Sequence, residues 1–469
     1  MKDFPLKTGF VWGRIEIMTI LEKISGLAKR RGFIYPGSEI YEGLAGTWDY
    51  GPLGTELKRN VKNEFWKAIV RERSDVVGID ASIIMNPRVW EASGHLKSFT
   101  DPLVECKKCQ RRFHVSELEE AGKDISICPE CGGEMTKPKA FNLMVETYLG
   151  SIEGEKIKTF LRGEITQGVY VNFKNVIDST RVQVPFGIAQ IGKAFRNEIT
   201  PSQLTFRSRE FEQMELQFYV KPEKEESEKW YDYWKNERME WYKNLGIKEK
   251  NLQFRQHKKD ELAHYAKEAW DIEYNLEGNW KEFEGIHHRG DWDLRRHQEY
   301  SGEDLRYTDP ESHEKYLPWA IETSGGVDRA ILFFLIDAYE EEQLANGEER
   351  TVLKLHPKLA PYKVAVFPLL SNKPELIKKA REIYGTLKEK WMTTWDDRGN
   401  IGKRYRYQDE IATMACVTVD FQSLEDNSVT IRDRDTMKQI RVEIPVLEKF
   451  IKKLLDGEEI EKLGKIINQ

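Results

Sequence analysis

Cysteine is scarce in this chain, with five among 469 residues, and that scarcity excludes a small secreted scaffold stapled by disulfides. Long apolar runs are missing too. The stretch Ala330–Ile336 stops at Asp337, far short of the roughly 18 residues a membrane-spanning helix needs. Nor is there an excess of one charge: 73 basic residues stand against 79 acidic ones, a net charge of −6. That balance exerts no global pull on nucleic acid, so no DNA partner is expected and any RNA contact has to come from local basic patches. Residues 1–17, MKDFPLKTGFVWGRIEI, have neither a long apolar core nor an Arg/Ser-rich, acid-free character. They read as an extension rather than a signal or transit peptide, and a cytoplasmic location is expected. What the chain does have is length, enough for two or three domains with substantial cores.

Four of the five cysteines are grouped. Cys106-x-x-Cys109 and Cys128-x-x-Cys131, eighteen residues apart, have the spacing of a zinc ribbon in which four thiolates meet one structural Zn²⁺. A redox pair or disulfides are the alternatives. The surrounding pattern, about 93–140, is irregular and predicts an insertion built around metal rather than a large core. Cys416 lies in an apolar strand pattern and reads as a core cysteine.

The stretch Phe195–Phe218, FRNEITPSQLTFRSREFEQMELQF, predicts a long hairpin with a turn at Thr200-Pro201-Ser202-Gln203. Arg196 and Glu198 on one arm and Arg207, Arg209 and Phe211 on the other can converge on one side of a sheet. Guanidinium forks match phosphate oxygens, a ring can stack on a base, and a carboxylate accepts from an exocyclic amine. A salt-bridged, solvated hairpin is the alternative. Later, Pro318–Arg329 reads as a strand, a glycine turn and the start of a helix, which brings Arg329 and a helix N-terminus together.

Elsewhere the pattern is mostly packing. Thr19 can cap a helix whose Ile20, Leu21, Ile24, Leu27 and Ala28 form one stripe stopped by Gly32. After Gly51-Pro52, Leu53, Leu57, Val61, Phe65 and Ile69 recur at four-residue steps on a helix with one face to bury. Phe141–Val145 and Val169–Phe173 have strand character. Residues 221–275 are dense in charge and tryptophan, and Glu228, Tyr231, Trp234, Arg238 and Trp241 fit an amphipathic helical insertion with its tryptophans inward; stacking on RNA is the alternative. His287 and His288 are adjacent, so on a strand they point to opposite faces and cannot share a metal. A boundary falls at about Lys354–Ala360. Beyond it strands (Val364–Leu369, Cys416–Phe421, Val429–Arg432, Ile440–Ile444) alternate with helices (Pro374–Lys390, Ile401–Ile411, Val446–Leu455), which predicts a small α/β domain. There Lys403, Arg404 and Arg406 with Tyr405 and Tyr407 suggest an RNA face, against a solvated helix.

The order Arg196-x-Glu198 followed by Arg207-x-x-x-Phe211 resembles motif 2 of the class II aminoacyl-tRNA synthetases, and FRNE…REFEQME is similar to the homodimeric glycyl-tRNA synthetases. The resemblance runs from about Thr19 to the chain end. It implies an α+β fold, a mainly antiparallel sheet with helices over 18–354, carrying the two insertions, with a C-terminal α/β anticodon-binding domain at 360–469. It also implies ligation of glycine to tRNA(Gly) at the expense of ATP, with Mg²⁺ on the phosphates, in a homodimer. The helix that starts at Pro52 corresponds to motif 1 and its interface, and Trp319–Arg329 to motif 3.

By resemblance ATP is met by Arg196, Asn197, Glu198, Phe206, Arg207, Ser208, Arg209, Glu210, Phe211, Glu282, Phe283, Gly326, Val327, Asp328 and Arg329, with Arg196 and Arg329 as the catalytic pair. Glycine is met by Glu164, Phe211, Glu212, Gln213, Met214, Glu215, Glu322, Thr323, Ser324, Gly325 and Gly326, with Gln167 beside the same pocket. Arg289 matches an arginine of the family pattern. The sequence departs from that pattern at Gly163, Ile165, Thr166 and Thr323. Phe113-His114-Val115-Ser116 stands where relatives have a substrate-contacting Arg-Ala-Asp, so that contact is not carried over. A synthetase of the same class for another small amino acid, or a catalytically silent relative, is the competing reading.

Overall fold

A computed structural model describes residues 18–467 apart from 121, 153, 155, 199–203, 260 and 263–265; the 1–17 extension and the Thr200–Gln203 turn fall outside the described residues. Helix α1 (Ile20–Arg31) is bounded by the signals its sequence carries. Thr19 and Glu22 cap each other reciprocally, and Gly32 at φ 78° closes the helix in the left-handed region, where a side chain would be strained. Helix α2 (Pro52–Trp66) opens on proline and buries Leu53, Leu57, Val61 and Phe65, each at most 5% exposed. This stripe is covered inside the chain, in the main hydrophobic core, and the exposed side of the helix carries Pro52, Arg59 and Asn63.

After the short strand β1 (Val76–Gly78) comes the cysteine-bearing insertion. It is a three-stranded sheet of β2 (Thr100–Glu105), β3 (Arg112–His114) and β4 (Lys139–Asn142), with β2 in the middle. Its core is small: Val104, Leu118, Met135 and the cysteines themselves. Helices α3 (Thr166–Val171) and α4 (Phe173–Ser179) replace the strand expected at Val169–Phe173. Val169, Tyr170 and Phe173 are almost completely buried. A short run that is apolar on every side has no period, so a strand and a buried helix look alike in sequence.

A seven-stranded sheet carries the rest of the first part. Its strands are β5 (Phe186–Phe195), β6 (Glu210–Val220), β7 (Leu252–Gln256), β8 (Glu268–Leu276), β9 (Asn279–Gly290) and β10 (Trp319–Gly326), in the spatial order β7-β8-β9-β10-β6-β5-β1. Every neighbour pair is antiparallel except β1 with β5. The expected hairpin is β5–β6, with Phe195 opposite Glu210. The helical insertion at 221–275 is corrected: helix α5 (Lys224–Asn244) is indeed there, with Tyr231, Trp234 and Trp241 buried, but β7 and the start of β8 follow it as strands of the central sheet. Helix α6 (Trp292–Ser301) links β9 to β10. Helix α7 (Val327–Ala338) runs straight on from β10 into the core, packed against α2 and β6.

The C-terminal part is a five-stranded sheet ordered β12-β11-β13-β14-β15, from β11 (Val364–Pro368), helix α8 (Pro374–Lys388), β12 (Thr393–Trp395), helix α9 (Ile401–Glu410), β13 (Ala415–Val419), β14 (Ser428–Asp433), β15 (Gln439–Glu443) and helix α10 (Leu447–Leu455). The elements expected from the sequence are all present; β12, three residues long, and two short helices, Gln422–Asp426 and Ile460–Leu463, are additional. Cys416 is 1% exposed in an apolar cluster. Helix α9 is the junction. Arg31 of α1 meets Glu410 at 2.8 Å and lies 4.5 Å over the Tyr407 ring, while Asp409 accepts from Arg350 at 2.9 Å and from Arg432 at 2.8 Å, all three buried. Among the described residues no helix is long and apolar enough to cross a membrane.

Candidate active site

The front face of the central sheet holds a cavity of about 290 Å³. Its floor follows from strand alternation and register. Glu215, Ser324 and Gly285 lie side by side across β6, β10 and β9, and the next row is Gln217, Glu322 and His287. Glu164 and Thr166, at the start of α3, close it from above.

The acids are not equivalent. Glu322 accepts from Arg289 at 3.0 Å, Gln217 at 2.6 Å and His287 at 2.7 Å. Burial alone raises its pKa, but Arg289 and His287 outweigh that and bring it down to about 2. Burial is likewise outweighed at Glu164, where His95 at 3.3 Å, Arg289 and Gln167 hold the carboxyl well below the usual range. Among the described residues Glu215 makes no ion pair. It accepts from Thr166 at 2.6 Å, Ser324 at 2.7 Å and Gln213 at 2.9 Å, and burial beside Glu322 and Glu164 pushes its pKa up to about 8. Two anions and one protonated acid therefore surround a space that a small ammonium group can fill, releasing the Glu215 proton.

The cavity continues towards the end of the hairpin. Arg196 donates to the Gly163 carbonyl at 3.1 Å, and its guanidinium lies 5.0 Å from the Phe99 ring and 5.2 Å from that of Phe211. Arg329, in the first turn of α7, meets Glu282 at 3.1 Å and lies 4.5 Å over Phe206. Arg207 and Ser208 line the same space. On β9 Phe283 has no partner residue in the register with β8, since Glu284 pairs with Ile272 and Glu282 with Glu273. At this bulge both Glu282 and Phe283 line the cavity, Phe283 being packed from the core side against Tyr242.

Several residues expected to meet a substrate have their side chains engaged elsewhere, although Glu212 and Asp328 still line the cavity. Met214 and Thr323 alternate onto the helix-covered face, buried in the core, and Val327 joins them there. The Glu212 carboxylate is taken by Lys58 and Lys62 at 3.1 and 2.9 Å. Asp328 accepts from Tyr50, Lys58 and the Glu212 amide, which ties α7 to α2 and β6. Glu210 pairs with Lys193 on the surface, and Arg209 donates to the Glu198 carbonyl. The Asn197 amide donates to the Leu143 carbonyl. A β-carbon on Gly325 would lie 2.9 Å from the Glu284 carboxylate, so this position requires glycine. Gln167 positions Glu164 from behind rather than lining the cavity. His288 lies on the opposite face from His287, near Trp319 and Tyr231, as adjacent strand residues must.

Six residues lining the cavity escaped the sequence reading: Asp101, Leu143, Thr166, Thr205, Gly285 and His287. Thr166 and His287 sit in segments that read as loop or strand without a chemical pattern, and Asp101 comes from the insertion. Asp101 lies 3.5 Å from His114, and both have an atom within 4.8 Å of the Glu198 carboxylate, so the insertion reaches the site. The four cysteines of that insertion converge, with Sγ–Sγ distances of 3.5 Å for Cys106–Cys131 and 3.7 Å for Cys109–Cys128. Tetrahedral zinc with bonds of about 2.3 Å sets its sulfurs roughly 3.8 Å apart, so the donor set fits the metal.

The expected RNA face on α9 is largely corrected. Arg404 is 2% exposed and donates to the carbonyls of Pro368, Asp397, Arg398 and Gly399, while Tyr405 is hydrogen-bonded to Thr418. A buried guanidinium that spends four of its five N–H donors on a loop is not presented to a phosphate. Lys403 remains exposed.

Residues 363–454 match the model of an anticodon binding domain. Over most of its length the chain is similar to proteins named glycine–tRNA ligase. It is 51% identical over 463 residues to that of Caldanaerobacter subterraneus subsp. tengcongensis, covering 94% of this chain and 99% of the relative. It is 52% identical over 427 residues to that of Treponema denticola, covering 90% and 94%, and 51% identical over 455 residues to that of Geobacillus kaustophilus, covering 92% and 98%. In fold it is similar to a prolyl-tRNA synthetase from Cryptosporidium parvum complexed with halofuginone and AMPPNP, with TM-score 0.65 and 17% identity over 96% of this chain and 80% of that one.

Proposed function

Since the chain belongs to the glycine–tRNA ligase family, we propose that it activates glycine with ATP to glycyl-adenylate and then transfers glycine to the 3′ end of tRNA(Gly). The observation that carries this reading is the join between an acid-ringed pocket and an arginine-lined groove in one cavity. The glycine carboxylate is already ionised and attacks the α-phosphate of ATP without a protein base, the bond to the β-phosphate breaking as pyrophosphate leaves, so the protein's task is positioning and charge neutralisation.

The roles follow from charge. Glu164, Glu322 and an ionised Glu215 hold the ammonium. Arg196 neutralises the α-phosphate, Arg207 and Arg329 the γ-phosphate, Phe211 stacks on adenine, and Glu198 accepts from its amine. Mg²⁺, when bound with ATP, neutralises phosphate charge, and Glu282 is the acid we assign to hold it. The terminal ribose hydroxyl of the tRNA then attacks the adenylate carbonyl and AMP leaves. Structural Zn²⁺ on Cys106, Cys109, Cys128 and Cys131, a cytoplasmic homodimer, and domain limits at 18–354 and 360–469 belong to the same reading. The test is ATP–pyrophosphate exchange with each of the twenty amino acids. Exchange with glycine alone is expected, and exchange driven by alanine or serine instead overturns the substrate assignment.

A further inference from the structure

We propose that His287 is a specificity-determining residue of the amino-acid pocket, its imidazole being the wall that limits the room beyond the α-carbon. The inference rests on the reading of this cavity as the glycine site. In the row Glu215–Ser324–Gly285, the third strand contributes no side chain. That gap is filled from the next row: a β-carbon at Gly285 would lie 2.7 Å from Cε1 of His287, so the ring leans over the glycine and closes the β9 side of the cavity. The ring is held in that pose. Its Nδ1 lies 2.7 Å from Glu322, itself fixed by Arg289 and Gln217. One side chain thus does two things, aiming a carboxylate at the ammonium and occupying the volume a substrate methyl group needs.

Bulk is the right device here. An acid-ringed pocket binds the ammonium of every amino acid equally, and an apolar methyl group gains contact unless something already fills its place. Only steric exclusion separates glycine from alanine.

The experiment measures exchange kinetics with glycine, alanine and serine for the parent, His287→Ala and His287→Leu. For His287→Ala the ratio of glycine to alanine kcat/KM is expected to fall by about tenfold or more, the worth of one methylene in a pocket, with alanine activation rising and the KM for ATP unchanged. His287→Leu keeps the bulk and loses the bond to Glu322, so discrimination is retained while the KM for glycine rises. His287→Asn, which shortens the side chain but keeps a donor for Glu322, is expected to lose discrimination like the alanine variant and serves if His287→Ala does not fold. A glycine-specific parent whose His287→Ala and His287→Asn variants keep its glycine-to-alanine ratio overturns the proposal. A parent that activates no glycine overturns the functional reading, and the wall with it.

Discussion

Glu215 is the residue on which the glycine reading turns. It is a buried acid with three neutral donors and no ion pair among the described residues, and its pKa is raised to about 8. The folded chain therefore binds this proton more tightly than the unfolded chain does, so the stability it lends is full below the ordinary carboxylate pKa of 4.5 and lost as pH rises through about 8. Binding has the opposite sense. An ammonium prefers the ionised form, so the KM for glycine should fall as pH is raised from 6.5 towards 8, and Glu215→Gln should flatten that profile. Glu215→Ala should leave the KM for ATP unchanged, because Arg196, Arg207 and Arg329 do not depend on it. A charge-assisted hydrogen bond of about 1.5–3 kcal/mol corresponds to a loss of roughly 10- to 150-fold in glycine-dependent exchange. A pH profile that is the same in parent and Glu215→Gln would falsify the assignment.

Among the elements, α5 shows how the back of the sheet holds the front. Arg238 is 0% exposed and pairs with Glu284 at 2.6 Å, and Glu284 also accepts from Tyr242 directly behind Gly325 of the site. Removing the guanidinium strands a buried carboxylate, so Arg238→Ala should cost about 3–5 kcal/mol in denaturant unfolding. The double variant Arg238→Met with Glu284→Leu should recover most of it. The insertion makes its own prediction. Protein kept reduced and free of chelator should carry about one zinc per chain, and Cys128→Ser should abolish that metal and raise protease sensitivity within residues 100–142. Full metal content in Cys128→Ser would sink the four-thiolate site.

Elements with boundary chemistry or a clean period were readable: the Thr19 cap, the β5–β6 hairpin and the alternating C-terminal part. Val169–Phe173 and residues 252–276 were not, because burial on all sides erases one period and a charged helix masks the strands that follow another. At the site, the arginines and acids were legible through their motif order. Which of them face the cavity was not, since Met214 and Thr323 differ from Gln213, Glu215 and Ser324 only by one step of strand alternation.

For the whole molecule the buried stripe of α2 means that a dimer contact on this helix has to use its exposed positions, such as Arg59 and Asn63, and sedimentation at micromolar concentration should give twice the chain mass; a monomer there refutes the homodimer. On α9, Lys403→Ala should weaken tRNA binding and lower the salt slope by about one, as loss of a single phosphate contact does, with folding unchanged. Arg404→Ala should instead unfold the loop at 397–399. The same helix has a larger consequence. Asp409 carries a guanidinium from each side of the junction, Arg350 and Arg432, while Glu410 and Tyr407 hold α1. Breaking such a triad exposes a buried charge, so the two parts do not swing freely about it. One helix thus clamps both parts: the placement of the C-terminal sheet relative to the central sheet is written into four side chains, Arg31, Arg350, Asp409 and Arg432, and not into the length of a linker.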